Sequence, residues 1–181
     1  LFNQGKFESA LPFFEKAVAA EPEYYEAQLY LGRTYLSMKQ YGKAAPHLRM
    51  AYRLSPEDFK SQAFDILIDA LMGAAFSELG KGNFESALTY VREIMSADPK
   101  GKKIKDDMSN ALVAVATGLA RKGEVRDAVD LFRDAIKENP DNIKAYLGLA
   151  KALIKSGAIA EAIENAQKAL AIVDSALASV N

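Results

Sequence analysis

The sequence predicts an all-α solenoid of stacked helix pairs, on three observations. An 18-residue block, Gly5–Pro22, returns at Lys39–Pro56, Gly82–Pro99, Gly123–Pro140 and Gly157–Asp174. One position in it is alanine every time: Ala10, Ala44, Ala87, Ala128 and Ala162. Apolar residues flank that alanine at offsets that trace one face of a 3.6-residue helix, as in Phe7, Leu11, Phe14 and Val18 of the first block. Self-similarity on this scale marks a repeat array, in which no unit buries its apolar face without a neighbour.

Each block reads as the second helix of a hairpin. A constant alanine among larger apolar neighbours marks a close approach of two backbones. A bigger side chain at Ala87 or Ala128 would overpack it at a cost of roughly 1–3 kcal/mol. Glycine opens four of the blocks, where the chain turns sharply into the helix. Proline closes four, because it cannot continue one helix but can begin the next. Ser55-Pro56 and Asp98-Pro99 then read as an N-cap followed by proline at the first helical position.

In chain order, residues 1–4 end a first helix and 5–21 form its partner. Leu1 falls where the eleventh position of a repeat would be, so the chain is expected to be a fragment of something longer. Pro12 and Pro46, two residues after their alanines, fall inside second helices and are read as tolerated early-turn prolines. The blocks start 34, 43, 41 and 34 residues apart, so two units are longer, by Phe59–Leu67 and Lys102–Met108. Phe64, Ile68, Leu71, Ala75 and Leu79 keep helical spacing through the first insertion, which predicts one helix over about 57–80. The second insertion is read as a loop around Lys100–Lys103 with some helical extension after it. Ile159, Ala162, Ile163, Ala166, Leu170, Val173, Leu177 and Val180 predict one long terminal helix, either a cap or the stump of a further repeat, and more apolar than a solvated cap should be.

The 34-residue period, the small residues Gly32, Ala75, Ala116 and Ala150, and the alanine–aromatic–alanine–proline series resemble the tetratricopeptide repeat (TPR). The clearest unit is Tyr25–Asp58, with Leu31-Gly32, Tyr35, Ala44, Leu48, Ala51 and Pro56 in the family's pattern. Gln28 stands where the family often has tryptophan, and the chain has none. The resemblance implies a right-handed superhelical solenoid occupying 1–181 as a single domain. Its units are a partial repeat at 1–24 and repeats at about 25–58, 59–101, 102–142 and 143–181.

Composition narrows the function. Half the residues are hydrophobic, enough to close a continuous core, and the net charge of −1 argues against a nucleic-acid footprint. No cysteine is present, which excludes structural disulfides and thiolate metal sites. No apolar run approaches the length of a membrane span, and no signal peptide or glycosylation sequon is seen. The compartment stays open between cytoplasm and periplasm. His47 is the one histidine, so paired-histidine metal sites are ruled out, and no nucleophile elbow accompanies it. Gly80-Lys81-Gly82 completes no phosphate-loop pattern and reads as an inter-helix turn. The lysines at 100, 102, 103 and 105 read as a solvated loop countered by nearby aspartates. No cofactor, metal or catalytic activity is expected.

The resemblance implies that each unit's first helix lines an inner groove that grips a peptide. Carried over by position, the lining is Leu29, Tyr30, Arg33 and Leu36 in unit two and Met72 and Phe76 in unit three. Val113 and Thr117 follow in unit four, then Lys144, Leu147, Lys151 and Lys155 in unit five. Family members that clamp a terminal carboxylate use lysine and asparagine where Leu29, Tyr30, Arg33, Asp69 and Gly73 stand here, so that mode is not expected. The expected partner has apolar anchors and an acidic tail. The competing reading of Leu29, Met72, Phe76 and Val113 is plain packing between adjacent first helices. The expected function is a non-catalytic protein-interaction scaffold. Its rivals are homo-oligomeric assembly through end repeats or the long terminal helix, and a handle for an active domain elsewhere.

Overall fold

The computed structural model describes residues 5–97 and 104–179, and among them it contains nine α-helices and no strand. They are α1 (Phe7–Ala20), α2 (Tyr25–Ser37), α3 (Tyr41–Leu54), α4 (Lys60–Lys81) and α5 (Phe84–Ala97). α6 (Lys105–Lys122), α7 (Val125–Glu138), α8 (Ile143–Ser156) and α9 (Ile159–Ala178) follow. The chain divides into two compact units, Leu1–Ser77 and Glu78–Asn181. No described helix is long and apolar enough to cross a membrane.

The five alanines behave as the spacing predicts. Ala44, Ala87 and Ala128 are fully buried, and Ala10 and Ala162 are 2% and 3% exposed. In the first unit α2 packs between α1 and α3. α4 closes on α3 through Tyr41, which fills the space beside Gly73, and through Tyr52 against Phe64 at 5.5 Å. In the second unit α5 through α9 pack each on the next, and α6 also touches α8. The first helices α6 and α8 therefore lie against each other. The cores are aliphatic: Leu31, Leu48 and Leu71 in one unit, Val91, Ile94, Leu112 and Val115 in the other. Each such burial contributes about 1.5–3 kcal/mol relative to exposure.

Turn chemistry follows the repeat. Gly123 and Gly157 end α6 and α8 with φ of 96° and 83°, left-handed backbone that glycine adopts without strain. Lys39 holds the same slot after α2 with φ 57° and bears the Cβ cost that glycine avoids. Pro12 and Pro46 both lie inside helices, α1 and α3.

Two expectations need correction. Ser55 caps nothing that follows: its hydroxyl donates back to the Tyr52 carbonyl at 2.8 Å, and Glu57–Phe59 form a 3-10 turn before α4 starts at Lys60. The helix across the first insertion is continuous to Lys81 but begins three residues later than its apolar spacing predicts. In the second insertion the helical extension is present from Lys105. Asp98-Pro99 and the lysines at 100, 102 and 103 lie outside the described residues, as do residues 1–4.

Candidate functional site

Two buried polar clusters fix the first helices in place. In the first unit Gln28, 4% exposed, donates from Nε2 to the Pro22 carbonyl at 2.7 Å. Its Oε1 lies 2.8 Å from His47 Nδ1. An amide oxygen only accepts, so His47 carries its proton on Nδ1. The imidazole stacks on Tyr35 at 5.8 Å, and the Tyr35 hydroxyl donates to Glu15 Oε1 at 2.8 Å. The chain from Glu15 to Pro22 ties α1, α2 and α3 together where the family often places tryptophan. Burial holds His47 below its usual range, opposed by Glu15, and raises Tyr35. This histidine is a structural bridge.

In the second unit Ser109 and Asn142 do the same work for α6, α7 and α8. Ser109 Oγ, fully buried, donates to the Ala135 carbonyl at 2.7 Å and accepts from Asn142 Nδ2 at 2.8 Å. Asn142 Oδ1 accepts from the backbone N–H groups of Lys144 and Ala145, capping α8. The repeat pattern gave no sign of this pair, because both residues sit outside the periodic apolar positions. Asn142 directly before an apolar-periodic run was the available cue.

On α2 the inferred lining divides. Leu29 is 8% exposed and packs into the helix interface, while Tyr30, Arg33 and Leu36 are half-buried. Tyr30 stacks on Phe14 of α1 at 5.5 Å with an interplanar angle of 12°, and the Arg33 guanidinium lies 5.7 Å from the Tyr30 ring. On α4 Met72 is half-buried and Phe76 is 44% exposed. Beside them, lost solvent contact and the Asp65 carboxylate raise Asp69 above the usual carboxylate range.

In the second unit α6 and α8 present adjoining faces. Val113 and Thr117 are half-buried, and the Thr117 hydroxyl donates to the Val113 carbonyl at 2.7 Å, so it has little left for a ligand. Along α8, Lys144, Leu147, Lys151, Ile154 and Lys155 recur on one helical stripe and all are exposed. Leu147 and Ile154 are 43% and 58% exposed. Lys155 reaches the Ala120 carbonyl at the end of α6 at 3.4 Å. Among the described residues no carboxylate pairs with Lys144, Lys151, Lys155 or Arg121. Some cations elsewhere in the unit are matched: Arg133 with Asp130 and Glu161, Lys168 with Glu164, Lys122 with Glu85.

Two tetratricopeptide-repeat family models match the chain, at residues 1–59 and 119–179, together well over half of it. In Arabidopsis thaliana, ALBINO3-like protein 3, mitochondrial, is 24% identical over 139 residues, and ALBINO3-like protein 2, chloroplastic, is 22% identical over 145. These stretches are 75% and 77% of this chain but 25% and 27% of the relatives. The chain thus spans about a quarter of the length of the curated relatives it matches. Among solved structures, a crystal structure of MamA has a TM-score of 0.53 at 20% identity, covering 97% of this chain and 93% of that one. YrrB, described as a TPR protein with an unusual peptide-binding site, has a TM-score of 0.51 at 19% identity, covering 95% and 80%. At such identities the likeness is one of fold.

Proposed function

The chain belongs to the tetratricopeptide-repeat family, and on that premise we propose that it is a protein-interaction scaffold whose α6–α8 face holds a partner segment with apolar anchors and acidic side chains. One observation carries the reading: Leu147 and Ile154 stand in solvent on one stripe, among three lysines without carboxylate partners. Solvated apolar side chains ringed by unmatched charge of one sign favour a partner that supplies both apolar surface and the opposite charge. Apolar anchors give affinity by leaving water, and the lysines give orientation and association rate. The solved neighbour described as peptide-binding supports this class of ligand. In the first unit, taken by itself, Tyr30 and Phe76 are proposed as aromatic contacts for a partner, with Leu36 and Met72 as further lining residues.

The test is a peptide-array scan followed by fluorescence anisotropy with the best acidic-apolar peptide and a sequence-scrambled control. Lys144→Glu/Lys151→Glu/Lys155→Glu should weaken binding about 100-fold, and the wild-type affinity should fall as salt rises. Leu147→Ala/Ile154→Ala should weaken it about 10-fold or more. Tyr30→Ala and Phe76→Ala probe the first unit separately. Unchanged affinity in all the α8 variants would show that the stripe is only a solvated helix face.

A further inference from the structure

Tyr35 of α2 and Leu153 of α8 hold the same place in the repeat, four residues before the block that follows begins. In the first unit the Tyr35 ring joins α1 to α3. Its hydroxyl donates to Glu15 of α1, its face stacks on His47 of α3, and Lys43 Nζ of α3 lies 5.5 Å from its centroid. The ring is 7% exposed, so the place between these two second helices is filled from within.

In the second unit leucine takes that place, and an open cleft of about 650 Å³ lies between α7 and α9. Leu153, 3% exposed, is its floor, and Val125 and Val129 of α7 face Ala158 of α9 across it. Arg133 stands at the position of Glu15, and Glu161 at that of Lys43. Arg133 Nη2 donates to Glu161 Oε1 at 2.8 Å, so this ion pair makes the polar end of the cleft. The charges have changed sides, but a donor and an acceptor still stand where the Tyr35 hydroxyl is held in the first unit. A leucine reaches neither of them. Every wall of the cleft belongs to α7, α8, α9 or the turn between the last two.

We propose that this cleft binds a tyrosine side chain presented by a partner segment, in the place that Tyr35 fills from within in the first unit. The ring lies on Val129 and Leu153, where burial of an aromatic anchor supplies most of the affinity. The hydroxyl accepts from the Arg133 guanidinium and donates to the Glu161 carboxylate. Both groups have capacity left: a guanidinium carries five N–H donors and a carboxylate about four acceptor sites. The volume exceeds one ring and lies within the range of about 300–1,000 Å³ usual for ligand sites, which leaves room for the residues flanking the tyrosine. The inference shares with the scaffold reading only the expectation of a protein partner. The cleft and the α8 stripe have Lys155 in common at their rims, and the tests below leave it unchanged, so either reading can fail alone.

Methyl NMR of the full chain is the test, first with p-cresol, the tyrosine side chain alone, to about 20 mM, since so small a ligand binds weakly. Methyl signals of Val125, Val129 and Leu153 should move, and those of Leu147 and Ile154 should not. A blocked Ser-Ala-Tyr-Ala-Ser peptide should move the same signals. Its phenylalanine version should bind about 5-fold more weakly, for want of the hydroxyl, and its alanine version not at all. Leu153→Tyr returns the ring from within and should abolish both titrations at an unlowered urea midpoint. Arg133→Met changes a side chain that is near half exposed and should remove the preference for tyrosine over phenylalanine. An absence of shifts with p-cresol, or p-cresol binding that the tyrosine peptide does not share, would overturn the proposal. So would a wild-type response or a lowered midpoint in Leu153→Tyr, or a tyrosine preference that survives Arg133→Met.

Discussion

Phe14 and Phe132 occupy the same place in two second helices, four residues after the repeated alanine, yet they meet opposite neighbours. In the second unit Phe132 sinks to 2% exposure because the facing position on α8 is Gly148, where an added Cβ would lie 2.2 Å from the ring. In the first unit the facing position on α2 is Tyr30, so Phe14 stays half-buried and the rings stack at 5.5 Å. One slot, glycine or tyrosine, decides whether an aromatic closes the core or is displayed on the first helix. The α2 face is therefore aromatic, with its cation drawn over a ring. The α8 face is left to leucine, isoleucine and lysine, and its cations stay unmatched. Repeats that share a backbone thus present different chemistry to a partner.

That contrast can be broken most sharply at the aromatics themselves. Phe132→Ala should destabilise the second unit by about 3–5 kcal/mol, while Phe14→Ala should cost about half as much. Urea denaturation at unchanged m-value measures both; equal losses would mean that the slot residue does not set burial. Gly148→Ala comes next. Its methyl must displace a buried ring, an overpacking cost of about 1–3 kcal/mol, partly offset by alanine's helix preference of up to about 1 kcal/mol. A stabilised variant would show that the ring moves freely. Lys39→Gly should raise the stability of the first unit by about 0.5–1 kcal/mol, because the left-handed backbone there suits glycine. No change in urea midpoint would argue that the turn relaxes without it.

The polar bridges differ in a testable way as well. The folded state holds His47 below its ordinary value of 6.5, chiefly through burial. Its contribution is therefore fully present above about pH 6.5 and is lost as pH falls through the lower folded value. Protonation also forces a second N–H into a cluster built around the neutral ring. The melting temperature of the wild type should drop between pH 7 and pH 5 more steeply than that of His47→Gln. Parallel profiles would remove His47 from the acid response. The Ser109–Asn142 bridge has no titrating member and should not respond. The smallest effect is expected at Arg133, whose pairs with Asp130 and Glu161 are near half exposed. Arg133→Ala should cost under about 1 kcal/mol, and less at high salt.

Much of the fold was legible in the residues because its determinants are local and repeated. Helical spacing, the close-approach alanines and the left-handed turn slots each act within a few residues, and recurrence in five blocks turns weak signals into a strong one. The start of α4 was misplaced because Ser55 turns its hydroxyl back to Tyr52, a choice the flanking sequence does not reveal. The Ser109–Asn142 bridge escaped because it joins residues far apart in the chain at non-periodic positions. The inferred lining residues were identifiable by position, but not their exposure: Leu29 and Leu147 share a register yet are 8% and 43% exposed.

By itself the sequence determined that this chain forms helix pairs, where each helix turns back, and which face of each second helix approaches its neighbour. Those properties follow from backbone sterics and apolar periodicity, which operate over one or two helical turns. Only the tertiary structure decided which first-helix side chains remain in solvent and that the lysines of α8 find no carboxylate. It also decided that Val129 of α7 is buried, at 8% exposure, beside α8. Exposure is a property of what packs alongside, and the residue that packs alongside comes from a different helix.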